Sequence, residues 1–258
     1  IDIENPERSI ERLNESYYSE LKVQNLKFVT DALSVPVKGI DLYATVEGHE
    51  AKIDYLNIKM GRSDLKIKGF ISDLPAIIHH TSTPVTTDLQ ISSNLIDVKE
   101  LSSGIKDNKP IDEQIENLRL NLKFLSSAKS FTESPSLPIG EFFITNLYAK
   151  MKHYPHTLHD FHADVFVEEK DFRVMDFSGM IDNSDFHFSG KLNNYNLWFD
   201  EKMQGDTKIE FDLTSKHLQL DNLFSYGGEN FVPEDYRHEV IDQLKIHGRT
   251  DLHFYNGL

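Results

Sequence analysis

The chain has no cysteine among its 258 residues. Disulfide frameworks, thiolate nucleophiles and thiolate metal sites are thereby excluded. It holds a single Trp, and only 27 basic residues stand against 42 acidic ones, for a formal charge of −15. Neutralising phosphates requires clustered Lys and Arg, so nucleic acid is not an expected partner. Plain electrostatic adhesion to anionic lipid is disfavoured for the same reason. No apolar run approaches the ~20 residues of a helical membrane span, and no signal-peptide pattern is visible. A Gly-x-Ser-x-Gly elbow, a phosphate-binding loop and a dinucleotide fingerprint are all missing. The expectation is a protein that is not an enzyme and that uses no cofactor and no metal.

What the sequence does have is aromatic side chains and alternation. Its 17 Phe and 10 Tyr suit pleated, half-buried surfaces. Apolar residues recur at every second position in Ile40-Leu42-Ala44-Val46, Leu65-Ile67-Gly69-Ile71 and Leu118-Leu120-Leu122-Phe124. The same period returns in Phe161-Ala163-Val165-Val167, Phe186-Phe188-Gly190-Leu192 and Thr207-Ile209-Phe211-Leu213. Clean alternation predicts antiparallel sheet with one apolar and one polar face. Helical signals are few: Asn5-Pro6-Glu7 with Ile10, Leu13 and Tyr17, a turn from Asp73 to His79, and Pro233 to Gln243. The predicted fold class is all-β with a few short helices.

The chain also resembles itself at an offset of about 121 residues. Ser63-Asp64-Leu65-Lys66-Ile67-Lys68-Gly69 aligns with Ser184-Asp185-Phe186-His187-Phe188-Ser189-Gly190. Asn25-Leu26 aligns with Asn146-Leu147, and Ile40 to Glu47 with Phe161 to Glu168. After a one-residue insertion, Ile91-Ser92-Ser93 meets Leu213-Thr214-Ser215. The order of landmarks is kept, which predicts two tandem repeats, 1–107 and 108–228, followed by a helix and the start of a further repeat over 229–258. Ser-Asp heading a strand suits a turn where short polar side chains satisfy backbone groups. Gly69 and Gly190 fall on the apolar face, which permits a bend or a close approach. Both ends of the chain read as boundaries within a longer parent.

The remaining polar clusters do not combine into a catalytic or metal-binding pattern. His153, His156, His159 and His162 recur every three residues, but Pro155 breaks any helix through them. On a strand, odd spacing sends His159 and His162 to opposite faces. Solvent-exposed turn histidines are the expected reading, also for His79-His80. Glu168, Glu169 and Asp171 fall at an expected hairpin tip, not across a cleft as glycoside hydrolysis needs. Gly227-Gly228 is expected in a flexible connection. Phe172, Phe177, Phe186 and Phe188 form a stripe that either packs a core or lines a lipid path.

The landmarks Gly61-Arg62-Ser63-Asp64 through Gly69, Ser72-Asp73-Leu74, and Asp88-Leu89-Gln90-Ile91-Ser92-Ser93-Asn94-Leu95-Ile96-Asp97-Val98-Lys99-Glu100-Leu101 resemble the AsmA-like proteins of Gram-negative bacteria, in their Bacteroidetes form. That family is related to TamB and to the bridge-like lipid-transfer proteins. The resemblance covers nearly the whole chain. It implies a long twisted antiparallel sheet from tandem repeats, curled into an open groove or half-barrel. It further implies a periplasmic segment of a parent anchored to the inner membrane, acting in outer-membrane assembly or phospholipid transport. The implied partners are phospholipid or another acyl-chain lipid and, with it, envelope proteins. The inward positions expected to line the lipid-binding groove are Leu65, Ile67, Ile91, Val165, Phe186, Phe188, Ile209 and Phe211. Alternation alone leaves a closed sandwich open as well. The rival readings are a β scaffold for protein interaction and a carbohydrate-acting β module.

Overall fold

A computed structural model of the chain describes residues 18–29, 35–102, 111–133, 138–198, 204–220 and 223–255. The helix expected after Asn5-Pro6 lies outside these residues. The chain divides into two compact units, Ile1–Thr132 and Glu133–Leu258.

The first unit is an antiparallel meander of β1 (Ser19–Phe28), β2 (Val37–Glu47), β3 (Glu50–Met60), β4 (Ser63–Ile71), β5 (Pro84–Asp97) and β6 (Gln114–Ser127). Each strand pairs with the next. Helix α1 (Leu74–Ile78) separates β4 from β5, α2 (Val98–Ser102) follows β5, and α3 (Ala128–Glu133) follows β6. The expected turn of helix after Asp73 is α1: the Asp73 carboxylate accepts from Ala76 N at 2.8 Å, an N-cap, and Pro75 opens the first turn. Ala76 then packs with Val85 and Ala128 in a small buried cluster.

The second unit repeats the plan with β7 (Gly140–Met151), β8 (Thr157–Val167), β9 (Asp171–Ile181), β10 (Ser184–Asn193) and β11 (Gly205–Gln219). A 3-10 turn, Tyr195–Trp198, stands where α1 stands in the first unit. The last long strand, β14 (Val240–Phe254), pairs with β11 after an inserted hairpin of β12 (Ser225–Tyr226) and β13 (Glu229–Asn230). Gly227 and Gly228 make that hairpin's turn, at φ 62° and 89°, in place of the expected flexible connection. The helix expected over Pro233 to Gln243 is corrected too. Only Glu234–Tyr236 forms a 3-10 turn, and Val240 onward is strand. Side-chain spacing at Val240 and Leu244 fits a helix, but β-branched Val240 and Ile241 find backbone partners on β11, and pairing overrides the local pattern.

The fold is therefore all-β with a few short helices, antiparallel throughout and not closed into a barrel. Within neither unit do the first and last strands meet. The repeat is structural as well as sequential. β3 begins at 50 and β9 at 171, β4 at 63 and β10 at 184, β5 at 84 and β11 at 205, which is 121 apart each time. The irregularities repeat with the strands. β1 bulges between Val23 and Leu26, and β7 between Ile144 and Leu147. Each bulge turns on an asparagine at positive φ, Asn25 at 48° and Asn146 at 55°. Asparagine tolerates that region better than other side chains, which explains the Asn-Leu landmark. β3 bulges between Ile53 and Leu56, and β9 between Val174 and Phe177.

Extensive contact between strands is confined to sheet neighbours. Among the described residues neither unit has a second sheet of comparable size: the β12–β13 hairpin is two residues a strand and meets the main sheet's turn at His153 and Tyr154, so neither unit is a sandwich. No described helix is long and apolar enough to cross a membrane.

Candidate functional site

Antiparallel register places opposed residues on the same face, so the pairing defines the apolar surface of each unit row by row. In the first unit Val23, Leu42, Leu56, Ile67, Ile91 and Leu120 are successive partners from β1 to β6. Leu65 faces Ile58, which faces Ile40. In the second unit Ile144, Ala163, Phe177, Phe188, Leu213 and Ile246 form one row. Phe142, Val165, Val174, Gly190, Phe211 and Gly248 form the next. Ile209 stands opposite Leu192, one row further.

The expected lining residues thus fall on one apolar face within each unit. The first unit brings together Leu65, Ile67 and Ile91; the second brings together Val165, Phe186, Phe188, Ile209 and Phe211. All eight are half-buried. The aromatic stripe is partly core. Phe161, Phe177 and Phe186 meet at centroid separations of 5.2–5.7 Å, and Phe161 is only 6% exposed. Phe188 stacks on Phe211 at 5.9 Å. Phe211 lies flat across Gly248, where a Cβ would overlap its ring.

The Ser-Asp landmark heads a strand directly after a two-residue turn, as expected, but its side chains satisfy backbone groups well beyond that turn. Ser63 accepts from Asp97 N at 2.9 Å, and Asp64 accepts from Asn94 N at 2.9 Å and Leu95 N at 3.0 Å. In the second unit Ser184 accepts from Gln219 N at 3.0 Å, while Asp185 accepts from Lys216 N at 3.0 Å and His217 N at 2.7 Å. Each pair clasps the far end of the following long strand, after ladder pairing with it has stopped. This also explains the second landmark, because Ser93 and Ser215 hydroxyls donate to Asp64 and Asp185.

Desolvation pushes the Asp185 carboxyl up, but the bonds from Lys216 N, His217 N and Ser215 together outweigh it and hold the group below its ordinary value of 3.8. A lowered folded value stabilises above the unfolded value and is lost as pH falls through the folded one. Asp185→Ala should hand two exposed backbone donors back to water and cost about 1 kcal/mol. In urea melts followed against pH, the variant should lose most of its deficit in acid. A deficit that stays constant through the acid range would contradict the clasp.

The histidine series is corrected in two respects. His159 pairs with Met180 and His162 with Ser178, two residues apart on β9, so both point to one face. The cause is a bulge at Asp160, with φ 54°, which cancels the odd spacing. His156 is not a solvent-exposed turn residue: its side chain is 16% exposed and its Nδ1 lies 2.6 Å from Asp182. Among the described residues no group of three His, Cys, Asp or Glu is placed to hold a metal ion. The sequence reading missed that histidines elsewhere in this unit pair across strands. Asp206 faces His253 at 2.7 Å, Asp212 faces His247 at 3.0 Å, and His217 faces Asp242 at 3.0 Å, all register partners on β11 and β14. Only the register reveals them.

Fold and site together define a single-layer antiparallel β-repeat protein whose units each present one apolar face. The chain matches no protein-family model, no curated protein and no solved structure.

Proposed function

We propose that the chain is a non-catalytic periplasmic segment of an AsmA-like protein, which holds acyl chains of phospholipid on its apolar sheet face during outer-membrane assembly or lipid transport. One observation carries this reading: among the described residues, each unit lacks a second layer over that face. A strand array with one apolar side must cover it with another element or a ligand. At about 25 cal/mol per Å² of apolar area buried, hydrocarbon is a strong candidate to fill that place. The repeated strands and bulges agree with an array built by addition of like units, as the sequence resemblance implies. The segment would carry no covalent chemistry, and its parent would be tethered at the inner membrane.

The test is direct. Protein purified from a bacterial periplasm should release phospholipid or fatty acid on organic extraction, read by mass spectrometry, and the delipidated protein should bind a fluorescent fatty acid saturably. Protein that carries no lipid and binds no probe would remove the proposal. A β scaffold for protein interaction has one observation in its favour. β14 keeps constant register with β11 from Phe254 to Val240, and its other edge is unpaired among the described residues, which suits strand addition by a partner.

A further inference from the structure

Within the second unit, a 3-10 turn lies over one end of the apolar face. Tyr195–Trp198 crosses the start of β11, with Trp198 Nε1 3.4 Å from Thr207 Oγ1 and its ring edge-on to Phe254 at 5.3 Å. Below Trp198 lies a pocket of about 220 Å³ floored by Phe172, Val174, Phe188, Leu192 and Ile209. Gly190 opens its middle, since a Cβ there would press within 3.3 Å of Phe188 Cζ and 3.1 Å of Phe211 Cβ.

From this geometry, and resting on the proposed lipid-binding role, we infer that the pocket is the seat of the methyl end of a fatty acyl chain lying along the second unit's apolar face. The lining decides the ligand chemistry. Strands β9, β10 and β11 are paired on both sides over this region except at the bulge between Val174 and Phe177, so most of their backbone groups are already satisfied. Lys191 and Glu210 also border the pocket, but alternation turns their side chains to the opposite face, where Lys191 reaches Asp171 at 3.2 Å. A peptide or a polar headgroup entering here would find no partner for its hydrogen-bonding groups and would lose its hydration. A hydrocarbon end has no such demand. Tyr195 against Phe172 at 6.4 Å and Trp198 against Phe254 at 5.3 Å stand across this end of the face, so the chain terminus, not its middle, fits the site. The carboxyl or headgroup then lies away from Trp198.

The single Trp of the chain makes the orientation measurable without any substitution. Stearic acid carrying a nitroxide near its terminal methyl should quench Trp198 emission several-fold more than stearic acid carrying it near the carboxyl. Equal quenching, or stronger quenching from the carboxyl-proximal label, would overturn the assignment. So would the absence of quenching by either acid while a fluorescent fatty acid still binds and is displaced by them, because lipid would then sit elsewhere on the face. Absence of all fatty-acid binding would instead defeat the lipid-holding role itself, and this inference with it.

Discussion

Phe188→Asp is expected to abolish fatty-acid binding by the second unit and to lower its stability by about 4 kcal/mol. Phe188 sits between Phe177 on β9 and Leu213 on β11, and its ring stacks on Phe211. Removing the ring deletes that stack and opens a gap over Gly190, whose own surface Phe188 helps to cover. The carboxylate brings a charge to a face whose neighbouring side chains, Phe177, Leu213 and Phe211, are apolar, so its desolvation is poorly offset. The two effects separate with Phe188→Leu, which keeps apolar volume and should cost under about 1.5 kcal/mol while retaining binding. Circular dichroism and urea melts read the fold; displacement of a fluorescent fatty acid reads the site. An aspartate variant that is folded and still binds with unchanged affinity would show that this face is not where lipid lies.

Gly69→Ala should destabilise the first unit by about 3 kcal/mol, a large effect for one methyl group. The added Cβ would overlap the Asp88 carbonyl oxygen, a backbone atom that cannot move without dragging β5 with it. Its counterpart Gly190 faces the equivalent carbonyl, that of Glu210, at 2.8 Å, so Gly190→Ala should cost less. Urea titration of the two variants provides the comparison. If both are neutral, the close approach of β5 to β4 and of β11 to β10 is not what holds glycine there.

Several features were legible because they depend on neighbours in sequence. Alternation through Leu65-Ile67 and Phe186-Phe188 gave the strands and their apolar sides. The glycines gave a close approach, since only a missing Cβ admits a neighbouring carbonyl. Ser-Asp was legible as a recurring signal but not in its purpose, because Asp64 and Asp185 satisfy backbone groups some thirty residues away. The histidine faces were misread because one residue at positive φ, Asp160, reverses the parity of everything after it. The start of the last strand, Val240 to Gln243, was misread because Val240 and Leu244 satisfy both periods, and only pairing with β11 chooses between them.

By itself, then, the amino-acid order determined a β-rich chain of two like halves, each with a greasy and a charged side, because side-chain alternation is a property of consecutive residues. Tertiary structure alone decided that each half stays a single layer, and which aspartate meets which histidine or amide. It also decided that the second half ends in a pocket under Trp198. These depend on register and on what covers a face, and both are fixed only when strands distant in the chain come together.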